Sequence, residues 1–442
     1  QDVERGVGVV ILDVSGNLSP LIMERLTTEQ LDRVVHLDAA DAEYPFSWNI
    51  PNEFRHTPQG SALFVEALAS VYGVTPGPLL AFLASHIQAH PNKTILDPFL
   101  LMSEQKERDA AFPPESGEAK ECASLMASDT ATVDALVENG KFLMKDTMVR
   151  NLLGQKDGKF ALSDLAAGKI FVVDLSRVRI FPTRIAPLVK LFTYASRTHA
   201  SPEVPVALYL HDGLRYLSER DSEALLTDQA LSLTLSDTVY RETDLPLREK
   251  VLTRCGSVIT FEPHQTDIPL VQRVFYPFVS SEELQGLEEG EACVMLTIDA
   301  VRARPFFAHT LPLPERRHVS LQDILVEARK RYTLPRTQVD ELFKKRTEED
   351  KKKGQPPFSD AFKNIFAKRD PSKALAQGTD KKGDPAKPQA ETGLAQSVAR
   401  ILEPTKSQQA HTGATTALPQ EVIAREIPED DLRELLYAPL PA

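Results

Sequence analysis

The stretch Val7–Asp13, VGVVILD, running into Ser15-Gly16-Asn17, decides the fold. It is apolar without a break, rich in β-branched residues, tipped by one carboxylate and stopped by turn formers. Such a run suits a strand buried on both faces of a parallel sheet, because a half-solvated strand would alternate with polar residues. Similar runs recur at Lys169–Ser176 (KIFVVDLS), Val204–Leu210 (VPVALYL), Leu231–Leu235 (LSLTL) and Gly256–Phe261 (GSVITF). Helical patterns lie between them at Thr183–Ala200, Glu219–Ala230, Leu247–Thr253 and Asp267–Phe275. Strands alternating with helices imply an α/β sheet covered on both faces. Ala292–Leu311 alternates as strand, turn, strand and reads as a β-hairpin closing one edge of that sheet.

Between the first strand and KIFVVDLS the periodicity is helical, from about Gln59 to Gly154, in SALFVEALASVYG, LLAFLASHIQAH and TVDALVENGKFLM. A crossover needs only about a dozen residues, so this segment reads as an inserted all-helical subdomain. The expected organisation is an α/β part over 1–58, the insertion over 59–154, the rest of the α/β domain over 155–314 and a helical extension over 315–353. Residues 354–419 are rich in Lys, Gln, Gly, Pro and Thr. They offer too little apolar surface to offset the entropy of ordering, and a disordered linker is expected. Within 420–442, Pro428–Tyr437 (PEDDLRELLY) places Leu432, Leu435 and Leu436 on one face of a terminal amphipathic helix, suited to docking on the body or on a partner.

The length of 442 residues allows roughly three units at about 150 residues each. Lys and Arg number 51 against 63 Asp and Glu, a net charge of -12 that excludes a uniformly basic nucleic-acid coat and leaves room only for a local patch. The mixed-sign run Lys344–Lys353 reads first as a solvated helix end and second as a DNA contact. Cys122, Cys255 and Cys293 lie far apart, outside any ligand spacing, so neither a disulfide framework nor a metal site is expected. No run approaches the length of a membrane span, and a cytoplasmic, reducing location is expected.

Two strands end in acid, at Asp13 and at His211-Asp212. In nucleotide hydrolases of the phosphate-loop class a strand-end carboxylate holds magnesium, and a neighbour orients the attacking water. The phosphate cradle itself requires G-x-x-x-x-G-K-[ST] opening a helix. That pattern does not occur in this sequence, and its nearest echo, Ala167-Gly168-Lys169-Ile170, introduces a strand. Each acid also has a plain structural reading: Asp13 can cap the turn after its strand, Asp212 can close a strand end, and His211 can be a packed histidine. No other Gly-rich loop supplies a phosphate site for an unrelated nucleotide enzyme.

The opening QDVERGVGVVILDVSGNLSPLIMERLTTEQLDRVVHLDAADAEYPFSWNIP resembles the segment downstream of the phosphate loop in HerA/FtsK-type and TraG-like conjugative coupling ATPases. There the pattern is QDIERGEGVAVIDPHGDL, followed by a run like YFDPSDxEYPIGFNPL. The resemblance continues in order through MVRNLLGQ (Met148–Gln155), KIFVVDLS, ALYLHDG, GSVITF and ARPFFAHTLP (Ala303–Pro312), all but the tail. It implies a RecA-like sheet whose first strand and phosphate loop precede Gln1, with QDVERG as the tail of the phosphate-loop helix. It also implies ATP and Mg as cofactors, a DNA partner, self-association into a hexameric ring and contact with membrane components of a type IV secretion system.

Matched residue by residue, the family's functional positions are eroded. Asp13 retains the first Asp of DPHGDL, while Val14, Ser15 and Asn17 replace the Pro, His and second Asp. The magnesium-side Asp of Walker B falls on His211 and the catalytic Glu on Asp212. The sensor Gln falls within Ser236-Asp237-Thr238, and the arginines of the insertion helix are gone from Gly77–His86 (GPLLAFLASH). Arg150 and Arg304 remain as the phosphate-side or intersubunit cations. The resemblance therefore implies a divergent motor lacking ATPase competence on its own, or a pseudo-ATPase scaffold recruiting secretion partners through its tail.

Overall fold

The computed structural model describes residues 2–178, 181–238, 243–298, 301–317 and 321–343. The run Lys344–Lys353, the expected linker and the terminal helix lie outside the described residues.

Five strands form one sheet: β1 (Gly8–Asp13), β2 (Val34–Asp38), β3 (Ile170–Asp174), β4 (Val206–His211) and β5 (Leu231–Ser236). Their order is β2-β3-β1-β4-β5 and every pairing is parallel. All of β1 is buried. Val10 and Leu12 enter the main core on one face, whereas Val9 and Ile11 enter a second cluster on the other, which is why the run tolerates no polar residue before its end. β2 is an addition to the strands read from sequence: VVHLD is short and interrupted by His36, a residue the structure buries and whose pKa burial lowers.

Two expectations about the C-terminal strands are corrected. GSVITF does not join the parallel sheet, and the hairpin does not close its edge. β6 (Val258–Thr260), β7 (Glu291–Met295) and, after a small ribbon of β8 (Thr297–Ile298) and β9 (Val301–Arg302), β10 (Phe306–His309) form a separate antiparallel sheet in the order β10-β7-β6. The physical reason is burial: β6 is short and Ile259 within it is exposed, so it lacks the two buried faces that an interior parallel strand requires.

Between β2 and β3 the chain makes helices that include Gly60–Tyr72, Pro78–Ala89, Asp97–Ser103, Gly117–Ser128, Thr130–Lys145 and Thr147–Leu153. Their buried side chains, among them Leu80, Phe99 and Leu136, belong to the same contiguous core as Val10 and Leu12. A Cβ at Gly140 would fall 2.4 Å from Phe99, so glycine there sets how closely Thr130–Lys145 and Asp97–Ser103 approach. The helix Pro182–His199 joins insertion and sheet: its Phe192 stacks on Trp48 at 4.2 Å, and Lys190 Nζ donates to the Ser70 carbonyl (2.8 Å). Helix Leu321–Tyr332 returns to the β2 side, where Phe46 bridges Thr333 and Arg336 N–H donates to the Glu43 carbonyl (2.8 Å).

Candidate functional site

In a sheet ordered β2-β3-β1-β4-β5 the chain leaves β1 toward one edge and β4 toward the other, so the strand order switches between these two parallel neighbours. Open α/β sheets bind ligands outside the carboxyl ends at such a switch point. Asp13 and His211-Asp212 occupy it, and the Val14 N–H donates to the His211 carbonyl (3.1 Å).

Asp13 is fully buried and its carboxylate is committed to the turn that follows. The Gly16 N–H donates to Oδ1 (2.8 Å), the Ser15 hydroxyl to the same oxygen (3.2 Å) and the Ser19 N–H to Oδ2 (2.6 Å). Gly16 adopts φ +80 with the Ser176 side chain where a Cβ would sit, so turn and carboxylate are fixed together. The same device ends the neighbouring strands. Asp38 accepts from the Ala40 N–H (2.9 Å), and Asp174 from the Ser176 N–H and hydroxyl (2.9 and 2.6 Å).

Asp212 closes β4 in a left-handed conformation, φ +56, which Asp adopts more readily than most residues. Its N–H donates to the Ser236 carbonyl (2.7 Å). Its carboxylate accepts the Thr238 N–H (2.6 Å) and the Thr238 hydroxyl, 2.9 Å from Oδ1 and 2.8 Å from Oδ2. Asp212 thus ties the end of β4 to the segment after β5. His211 Nδ1 lies 2.7 Å from Ser236 Oγ, and its Nε2 lies 3.8 Å from Asp212 Oδ2. Half-buried Asp237 has its pKa pushed up to about 7, by burial first and then by the Asp212 charge, with Arg215 opposing.

The structure brings the Walker B and sensor positions of the resemblance together on adjacent strands, but it does not gather the two arginines there. Arg150 lies over the Phe343 ring (4.9 Å), donates to Asn151 Oδ1 (3.0 Å) and pairs with Asp340 (3.6 Å); burial lowers its pKa. Arg304 lies over Phe278 beside the small sheet (5.6 Å). Sequence reasoning passed over Thr238 as the partner of Asp212, because hydrogen bonding across a loop has no periodic signal. It also passed over a cleft of about 590 Å³ lined by Asp41, just past the end of β2, and by Phe142, Asp146, Asn151, Arg184 and Arg336.

Magnesium-bound ATP needs acceptors free to face the metal and an amide nest around the phosphates. Asp13 has both oxygens satisfied by its own turn, Asp212 has both satisfied by Thr238, and the sequence carries no G-x-x-x-x-G-K-[ST]. The residues present do not fit the cofactor. Among the described residues no helix is long and apolar enough to cross a membrane.

No family model and no curated protein sequence matches the chain. Among solved structures, the chain is similar to the bacterial conjugative coupling protein TrwBdeltaN70 in its unbound monoclinic form, at 12% identity and TM-score 0.49, over 71% of this chain and 80% of that one. It is also similar to VirB4 of Thermoanaerobacter pseudethanolicus, at 12% identity and TM-score 0.42, over 71% of this chain and 84% of that one.

Proposed function

We propose that the chain is a divergent subunit of a DNA-translocating motor of the conjugative-transfer or type IV secretion kind, and that these residues alone do not turn over ATP. The motif order from QDVERG to ARPFFAHTLP supports the motor relationship. The observation that carries the second half is the bond set between Asp212 and Thr238, which uses the carboxylate a hydrolase would turn toward magnesium or water. β5 pairs with β4 alone among the described residues, and Ser232, Thr234 and Ser236 along it are exposed. A further parallel strand and its turn, added at β5, would place backbone amides beside the ends of β4 and β5, where a phosphate cradle would have to lie. In this reading the ring assembly and the DNA contact belong to the complete motor.

The same bond set also favours a scaffold reading, in which the subunit assembles and recruits secretion partners without hydrolysis. Titration of the purified chain with a fluorescent ATP analogue separates competent from incompetent chains. No saturable binding below about 100 µM is expected. Low-micromolar affinity would overturn the incompetence, and loss of that affinity in Asp212→Ala would place the nucleotide at the switch point.

A further inference from the structure

A second cleft, of about 450 Å³, opens beside the loop Lys156–Lys159 (KDGK) that follows the insertion. The loop is pinned in place: the Lys159 N–H donates to the Ser47 carbonyl (2.9 Å), the Ser47 hydroxyl to the Asp157 carbonyl (2.7 Å) and Asn49 Nδ2 to the Lys156 carbonyl. The charge of the cleft is unbalanced. Arg55, Lys156 and Lys159 all line it, and among the described residues none of the three is in an ion pair with a carboxylate. Arg55 donates through Nη2 to the Ile87 and His90 carbonyls (3.2 and 2.8 Å) at the end of helix Pro78–Ala89 and through Nη1 to Asn52 Oδ1 (3.3 Å). Helix-end carbonyls supply partial negative charge and not a counter-ion. Arg55 Nε is out of reach of solvent and has no hydrogen-bond partner, and burial lowers the pKa of the guanidinium. Of the two carboxylates in the lining, Glu53 is committed to the Trp48 indole, the Leu162 N–H and His199, which leaves the exposed Asp157 alone against three cations. A cation drawn partly out of water without a counter-ion costs free energy that a bound anion recovers.

We propose that this cleft binds a small phosphate monoester, its phosphoryl oxygens taken by Lys156, Lys159 and Arg55 and its organic body resting on Pro91 and Phe160. The charge fits: a phosphate monoester carries about two negative charges at neutral pH, which three cations opposed by one exposed carboxylate can match, whereas a carboxylate ligand brings only one. The size fits as well, since small-molecule sites run from roughly 300 to 1,000 Å³. Asn52 Oδ1 faces Arg55, which leaves the amide donors of Asn52 for a hydroxyl of the ligand. A long nucleic acid needs cations in an extended stripe, but here they are gathered in one concavity of a chain whose net charge of -12 repels a polyanion elsewhere.

The site does not rest on the nucleotide reading, because it shares no residue with Asp13, His211 or Asp212. Calorimetric titration of the full chain at low ionic strength with ribose 5-phosphate, inorganic phosphate and ribose tests it. Ribose 5-phosphate is expected to saturate with a Kd below about 1 mM, inorganic phosphate to bind at least about threefold more weakly, and ribose not to bind. Lys156→Gln and Lys159→Gln should each weaken ribose 5-phosphate by at least about fivefold, while Lys145→Gln, at the cleft around Arg184, leaves it unchanged. No saturation by either anion up to about 10 mM, affinity that survives Lys156→Gln, or equal weakening by Lys145→Gln would each overturn the proposal. Inorganic phosphate binding as tightly as ribose 5-phosphate would overturn the ester, and a single-stranded oligonucleotide binding more tightly through the same two lysines would overturn the small ligand. If Lys159→Gln disturbs the fold by losing the bond from Nζ to the Thr333 carbonyl (2.8 Å), the exposed Lys156→Gln decides alone. An ATP analogue lodged in this cleft would be displaced by ribose 5-phosphate and indifferent to Asp212→Ala, which keeps this test apart from that of the switch point.

Discussion

The two sheets solve the same problem at different scales. In the parallel sheet the side chains of β1 enter cores on both faces, and the main core runs from the strands through the helices of the insertion. The antiparallel sheet rests on a small cluster around Phe275 and leaves Ile259 and Phe306 to solvent. Strength in the first comes from apolar continuity, with carboxylates spent on capping the strand ends. The second has one buried face, and its stability depends more on what covers the other. The difference teaches that an acid-tipped strand in a large parallel sheet is a structural device until an oxygen is shown to be free.

The largest test of the comparison is Trp48→Ala. Trp48 is fully buried, stacks on Phe192 and donates its indole N–H to Glu53 Oε1 (2.8 Å), so its loss opens a cavity and takes one donor from a buried carboxylate that keeps the Leu162 N–H and His199 on Oε2. A loss of about 3–5 kcal/mol is expected in urea unfolding. A loss under about 1 kcal/mol would show that insertion and sheet do not share one cooperative core.

Next in size is Asp13→Ala, which strips the acceptor from two backbone donors at a buried turn. A cost of about 2–4 kcal/mol follows from leaving the Gly16 and Ser19 N–H groups unsatisfied, with Asp13→Asn losing about half of it. Were Asp13 instead held in reserve for a metal, Asn would leave thermal stability unchanged.

Asp237 gives a pH-dependent test at the switch point. Its folded pKa of about 7 lies above the ordinary 3.8, so ionisation is disfavoured in the folded state. The stability this group lends is fully present below pH 3.8 and is lost as pH rises through about 7. Asp237→Asn should therefore match the parent chain near pH 4 and exceed it by about 1–3 kcal/mol at pH 8, a range discounted for partial exposure. Equal gains at both pH values would show that the Asp212 and burial effects are not what acts there.

How much of this was legible in the sequence follows from the same contrast. VGVVILD, KIFVVDLS and VPVALYL are legible because two buried faces demand apolar continuity, LSLTL belongs to a half-exposed strand whose Ser232, Thr234 and Ser236 face outward, and the helices between β2 and β3 are legible because helical spacing persists from Gln59 to Gly154. GSVITF was assigned to the wrong sheet, since a short apolar run looks alike in parallel and antiparallel settings. The acids at Asp13 and Asp212 are legible together with two duties, structural and catalytic, between which the sequence alone does not choose. Whether a carboxylate faces solvent or a neighbouring N–H is decided by the turn geometry of Gly16 and by Thr238, a residue with no periodic relation to Asp212.

The smallest expected effect is the sharpest for the comparison. Ile11 and Ile259 are the same residue in a strand interior, yet Ile11 is 3% exposed and Ile259 59%. Ile259→Thr keeps the β-branch and removes apolar surface that the isolated chain already leaves in water. Measured by urea unfolding at a dilution where the chain is monomeric, it should shift stability by no more than about 0.5 kcal/mol. A loss of about 2 kcal/mol at that dilution would mean that Ile259 is buried within one chain, and the open face on which the two-sheet contrast rests would be closed.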